Sequence, residues 1–390
     1  MLRKTLTLAL IAIISMNSCK KDDTTTPEPS NPQIVVPSTY EFTDADGNST
    51  VSFNGQAQRL EMLEEMVDYM KTVNTSGTTV DAQILKDMYA NNGITWVDEP
   101  ALGMTGSTLE LKNKTLELWS EGSVFQSNFE LLMESLASQS SNTESGNNSG
   151  GPGVAGVVVS SSDPTKEYLQ NADGKEHIQF IEKGLMGTVF YNQITENHLG
   201  EIEMNTDNSE AIDPDNDKFY TEMEHAWDMA YGYFTTAIDY EPSGSGADRF
   251  WGKYVDGSRE LYLGSATKIS NAFRMGRAAI TMNNLTVRDE QIAIIRIELE
   301  KAAAGTAIHY LNGAMSDFGD DALRNHQLSE ATAFLNNIKY GYEPIFSSQE
   351  IGLWIYTLGY DYYEVTISNI LLVRDEIADG AGLSEYKEVL

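Results

Sequence analysis

Apolar and polar residues alternate in this chain with two different periods, and the helical one dominates. In QAQRLEMLEEMVDYMKTV, residues 56–73, Leu60, Leu63, Met66, Val67 and Met70 recur at steps of three and four, which predicts a helix burying one stripe. The same spacing predicts helices near 81–91, 107–120, 124–138, 176–196, 218–236, 258–282, 287–315, 327–340, 348–360 and 362–379. Two of them carry start signals: Thr286 with Asp289, and Ser347 with Glu350, read as capping boxes or close variants. A period of two occurs in YEFTDADGNSTVSF, residues 40–53, on either side of Asp46-Gly47, and predicts a β-hairpin that is the one strand pair. About ten helices with short connections point to an all-α bundle with one short N-terminal hairpin.

The pattern breaks at residues 138–164, SQSSNTESGNNSGGPGVAGVVVSSSDP, whose Ser, Asn and Gly content predicts a long loop or hinge. It divides the body into a first helical region with the hairpin, 38–137, and a second helical region, 165–390. Ahead of both stands MLRKTLTLALIAIISMNSC, with basic Arg3 and Lys4, an apolar run from Leu6 to Ile14 and small residues before Cys19, which is the anatomy of an export signal over residues 1–18. The apolar run is too short to span a bilayer as a helix. Residues 19–37 then form a charged, Thr- and Pro-rich tether.

Composition sharpens this picture in two ways. Cys19 is the only cysteine among 390 residues, so an intramolecular disulfide and the usual cysteine metal motifs are excluded. Its place directly after the leader makes it resemble the lipidated first residue of a bacterial lipoprotein, anchored to the membrane. The Lys-Lys-Asp-Asp that follows resembles the export tag of Bacteroidota-type lipoproteins, which implies the outer face of the outer membrane, with a periplasm-facing anchor as the alternative. The formal charge of −32 repels phosphate backbones, so nucleic acid is not an expected partner, whereas cations and basic protein segments are compatible with it.

Candidate chemistry lies in the second half, which holds all five histidines: His177, His198, His225, His309 and His326. His326 and Glu330 stand at an i, i+4 spacing that places both on one helical face, where they either chelate a cation or lie solvated near a helix start. Asp213, Asp215, Asp217 and Glu224 match positions 1, 3, 5 and 12 of a calcium loop, although Lys218 replaces its turn-forming glycine; the alternative is an acidic loop capping the next helix. Arg277 interrupts an apolar helix face and is expected to pair with a buried acid. Phosphate-cradling loops, the Gly-x-Ser-x-Gly elbow and the His-Glu-x-x-His zinc helix are missing, which removes the usual support for nucleotide, hydrolase and zinc-protease readings.

The segments GKEHIQFIEKGLMG, FYTEMEHAWDMAYGYF, GRAAI, AIHYLN and HQLSEATAFL together resemble an uncharacterised family of Bacteroidota lipoproteins, related in turn to imelysin-like proteins. That resemblance implies a double helical bundle with a site where the bundles meet, and a link to iron uptake. The imelysin signature, Gly-x-His-x-x-Glu, has its counterpart in Gly174-x-Glu176-x-x-Gln179, with Gly184 beyond, so Glu and Gln stand where His and Glu are expected. The polar set expected at the site is Glu176, Gln179, His225, Arg277, His309, His326 and Glu330. The function implied is a binding component of a metal, iron or haem uptake system, with iron or calcium as ligand and an outer-membrane receptor or a haem or iron carrier as partner. A metal-dependent peptidase or other hydrolase and a structural or adhesive surface module are the alternatives.

Overall fold

The longest periodic segments become the helices around which the rest is arranged. The computed structural model describes residues 33–97, 102–141 and 149–390; the leader, Cys19 and most of the tether lie outside the described residues. Helices α1 (Asn54–Lys71), α2 (Ala82–Tyr89) and α3 (Gly122–Ser141) precede an antiparallel pair of strands, β1 (Gly156–Val159) and β2 (Glu167–Gln170). Then come α4 (His177–Leu185), α5 (Glu222–Phe234), the short α6 (Phe250–Tyr254) and α7 (Ser258–Leu263), and α8 (Ser265–Thr281). The long α9 (Leu285–Ser316), α10 (Asp321–Ile338), α11 (Ser348–Leu358) and α12 (Ile367–Gly380) complete the chain. Among the described residues no helix is long and apolar enough to cross a membrane.

At 1.5 Å per residue the 32 residues of α9 span about 48 Å. Buried Ala302, Ala303, Ala304 and Ala307 let α8 and α10 approach it closely, and these are its most extensive partners. Beyond α4 the chain stays helical through widened π turns, Met186–Tyr191 and Gln193–His198, and every residue from Met186 to Thr195 is buried. Gly187 fixes the distance from this segment to α10, since a Cβ there would lie 2.0 Å from Asn337 Oδ1. This contact sets the first turns of α4 opposite the first half of α10.

The expected mostly helical body is observed, and the small sheet is found elsewhere than expected. At residues 40–53 the chain turns back at Gly47 but pairs only through the single bridge Thr43–Ser49. The strand pair falls at 156–170 instead, partly inside the stretch read as loop, where Val157 and Leu169 enter the core. Ser160 and Ser162 at the end of β1 donate to Asp320 Oδ2 at 2.8 and 3.0 Å, tying the sheet to the N-terminus of α10. The helix expected at 107–120 is reduced to the single turn Lys112–Lys114, since Leu116 adopts a positive φ and gives its N–H to the Thr188 carbonyl. Gly264, in the left-handed region, divides 258–282 into α7 and α8. Ser347 and Glu350 do form a capping box. Thr286 does not, because Asn284 caps α9 two residues earlier and Asp289 pairs with Arg288.

Arg277, on α8, pairs with buried acids as its position in an apolar face led us to expect. Its Nε donates to Asp228 Oδ1 at 2.9 Å, Nη1 to Glu224 Oε1 at 2.6 Å and Thr281 Oγ1 at 2.7 Å, and Nη2 to the Thr50 carbonyl and hydroxyl. Asp228 also accepts from Tyr40 Oη and from the Ser52 amide. Residues 40–53 are thus fastened to α5 and α8 through one guanidinium, and all five of its N–H donors are used.

Removing Arg277 leaves two buried carboxylates without their cation. Arg277→Met is expected to lower the free energy of unfolding by about 3–5 kcal/mol. Arg277→Lys recovers only a minor part, because an ammonium has three donors and no planar fork. Urea unfolding followed by circular dichroism checks both, and a loss below about 1 kcal/mol for the Met variant would refute the assigned role.

Candidate functional site

Four of the seven polar candidates meet at one place. Gly174 turns the chain with φ +78°, and a side chain here would strike Asn325 on α10. The turn brings Glu176, the residue capping α4, against α10, where its N–H bonds Ser329 Oγ at 3.0 Å. From α4 come Gln179, Glu182 and Lys183; from α10 come His326 and Glu330, one helical turn apart. With Lys71 at the end of α1, Tyr168 on β2 and Lys253 and Tyr254 on α6, they line a cavity of about 410 Å³.

The His326 ring is held from two sides. Its Nδ1 lies 2.6 Å from Glu176 Oε2, and its face stacks on Tyr168 at 4.3 Å between centroids. Burial pushes the imidazole down, but the Glu176 carboxylate, by charge and by hydrogen bond, and Glu330 more than offset it, so His326 is held above the ordinary histidine pKa. Glu176 Oε1 in turn accepts from Gln179 Nε2 at 3.1 Å.

Lys183, enclosed in the protein, lies between two acids. Its Nζ is 2.5 Å from Glu182 Oε1 and 3.5 Å from Glu330 Oε1, and sits over the Tyr254 ring. Burial opposes the charge on Glu182, yet Lys183 and Lys71 prevail and hold its pKa low; for Glu330 burial prevails over Lys183 and the pKa is raised. Among the described residues Gln179 Oε1 and Glu330 Oε2 remain buried with no hydrogen-bond partner, and Glu182 Oε2, also without a hydrogen bond, faces Lys71 Nζ at 3.6 Å. Lys253, lowered by burial and by the charge of Lys183, has no carboxylate paired with it among the described residues.

A resident metal ion does not fit this donor set. The ammonium of Lys183 already occupies the place between Glu182 and Glu330 that a cation would take, and His326 uses Nδ1 for Glu176, while its Nε2 is 4.0 Å from Glu330. Among the described residues no group of three or more His, Cys, Asp and Glu side chains is arranged to hold a metal. In the proposed calcium loop, Asp213 instead bridges to Lys218, Asp217 takes a left-handed turn, and Glu224 is engaged by Arg277 and by the Thr221 capping box. The acidic loop therefore does not close on Glu224 as a twelfth-position ligand.

The remaining candidates lie elsewhere for identifiable reasons. Arg277 is consumed in the network just described. His309 Nδ1 contacts the Leu390 carbonyl, and His225 Nδ1 the Ser52 carbonyl, both at 3.1 Å. His177, adjacent to the site in sequence, turns away to Gln139 at 2.9 Å. Glu182 and Lys183 were missed as site residues, although steps of three from Glu176 through Gln179 to Glu182 mark one polar face on α4.

The chain belongs to the family described as Domain of unknown function (DUF4856), whose model matches residues 37–383. No curated protein and no solved structure matches it.

The elevated pKa of His326 carries a sign. A histidine that holds its proton more tightly when folded stabilises the fold fully below about pH 6.5, its unfolded value, and loses that contribution as pH rises through the higher native value. Glu176→Gln is expected to drop the His326 pKa and to cost more stability at pH 5.5 than at pH 8.5. Imidazole titration by NMR with paired urea curves checks this; an unmoved His326 resonance in the variant would refute the pairing.

Proposed function

We propose that this member of the DUF4856 family is a cell-envelope binding protein, tethered through a lipid on Cys19, whose ligand is a small polar solute bearing an ammonium group. The observation that carries the reading is the pair of buried acceptors with no donor among the described residues, Gln179 Oε1 and Glu330 Oε2. A buried oxygen without a donor costs about 1–3 kcal/mol, so a ligand supplying N–H donors gains what the empty cavity forgoes. Lys253 on the wall, with no carboxylate paired to it among the described residues, offers a counter-charge for an anionic group on the same solute, which makes amino acids and other zwitterions the best match. Support for the envelope tether comes from the leader, Cys19 and the acidic, Pro-rich stretch behind it.

The uptake role implied by the imelysin resemblance is kept in its binding part. Its support is that the counterpart residues Glu176 and Gln179 both line the cavity. Iron or calcium as the bare ligand is disfavoured by Lys183, as argued above.

Calorimetric titration of the protein with amino acids, linear amines, neutral sugars, calcium and iron(II) tests the ligand class. Saturable binding is expected from an amine-bearing solute, weakened at least about tenfold in Glu330→Gln, the equivalent of losing one charge-assisted hydrogen bond. Binding of a sugar or a metal ion with no response to any amine would sink the proposal. For the tether, Cys19→Ser is expected to abolish incorporation of a labelled fatty acid and move the protein from the membrane to the soluble fraction on cell lysis.

A further inference from the structure

A second cavity, of about 300 Å³, opens beside the first turn of α1 and is lined by Arg59, Lys114, His198 and His225. Its lining holds basic side chains and no acid, whereas the first site mixes lysines with glutamates. Arg59 is buried; its Nε donates to the Glu110 carbonyl at 2.9 Å, and no carboxylate among the described residues pairs with its guanidinium. In a chain with 58 acidic and 26 basic side chains, a buried arginine left without an acid is a departure from what composition favours. Lys114, at the rim, is already held by Glu117 at 2.7 Å and contributes less.

His198 provides an independent observation. It is 5% exposed, stacks on Tyr233, and among the described residues neither of its ring nitrogens has a hydrogen-bond partner. Burial, then Lys114, His225 and Arg59, depress its pKa to about 3, so the ring is neutral and has one N–H to give. The wall completing the cavity includes Asn54 and Gly55, the first residues of α1, an 18-residue helix whose cap residue Phe53 has no acceptor in its side chain. Uncapped N–H groups and the positive end of the helix dipole favour a negative occupant there.

Charge decides among the possible occupants. A cation would face Arg59 and Lys114. An apolar group would leave Arg59 without a counter-charge and His198 without a hydrogen-bond partner. A compact oxyanion satisfies the guanidinium, the imidazole N–H and the helix start together. We propose that this cavity binds a carboxylate or phosphate group, as a free ion or as the end of a small molecule, independently of the ammonium site on α4 and α10. The volume corresponds to roughly ten water molecules at 30 Å³ each, which admits one such group with a short remainder.

The test is titration of the full chain with sodium phosphate, sulfate or acetate, against sodium chloride at matched ionic strength. At least one oxyanion is expected to bind saturably, to raise the melting temperature, and to move the His198 ring nitrogen resonances, with no such change in chloride. Phosphate against acetate tells a phosphate site from a carboxylate site. Arg59→Met is expected to weaken binding at least about tenfold, and Lys114→Gln, at the rim, by about two- to fivefold, whereas Glu330→Gln leaves it unchanged. If Arg59→Met fails to fold, the Lys114→Gln titration and the His198 resonances decide. Indifference of the protein to all three oxyanions, or undiminished binding in a folded Arg59→Met chain, would overturn the proposal.

Discussion

A charged side chain enters a protein interior only with its charge answered, and the structure follows from how that demand is met at three places. At Arg277 it is met in full. The guanidinium spends all five donors on Asp228, Glu224, Thr281 and Thr50, and the carboxylates it answers are themselves closed by Tyr40, the Ser52 amide and the Thr221 cap. Nothing is left over for a ligand, so this cluster joins the 40–53 segment to α5 and α8 and has no chemistry to offer. Its residues are acidic, basic and deeply buried, which is what an active centre also looks like; closure is what tells them apart.

The α4–α10 cluster is built from the same kinds of residue but remains open. Lys183 answers one oxygen of Glu182 and approaches one of Glu330; Lys71 faces the other oxygen of Glu182, while the other oxygen of Glu330 has no donor among the described residues. Gln179 spends its amide N–H₂ on Glu176 and keeps its carbonyl free. Each unmet atom lies on a helix whose position is fixed elsewhere: α4 by the Gly187 contact with Asn337, α10 by the serines of β1 on Asp320. Held from behind in this way, the cluster cannot collapse to satisfy itself, and the deficit persists until a donor arrives.

Periodicity made the helices legible because one apolar stripe every 3.6 residues is a local property, visible in α1, α9 or α10 without knowing what they pack against. The sheet was misplaced because alternation does not reveal what a strand packs on: residues 40–53 are spent on α5 and α8 through Tyr40 and Thr50, while β1 and β2 pair with each other and pack on α10. Part of the site was legible too. Glu176 and Gln179 share a face by spacing, as do His326 and Glu330, and the structure brings these two pairs together. No spacing rule relates α4 to α10 across about 150 residues, nor distinguishes Arg277, which is closed, from Glu330, which is open. Lys183 was invisible for a similar reason: a lysine among Glu182 and Gly184 reads as surface until the second acid arrives from another helix.

The net charge of −32 suggests a body that repels anions everywhere, yet one cavity is lined by basic side chains with no acid among them and the other mixes both signs. Screening resolves this. At physiological ionic strength the field of exposed charges decays over about 8 Å, so the acids spread across the surface act on solubility and on large partners such as nucleic acid, and hardly on what an interior pocket selects. Inside, where charges are poorly screened, the nearest few groups decide: the free oxygens of Gln179 and Glu330 at one cavity, Arg59 without a carboxylate and the start of α1 at the other. Local deficits, then, and not the overall charge, determine what each pocket can hold, and a global property such as acidity constrains this protein's surroundings more than its ligands.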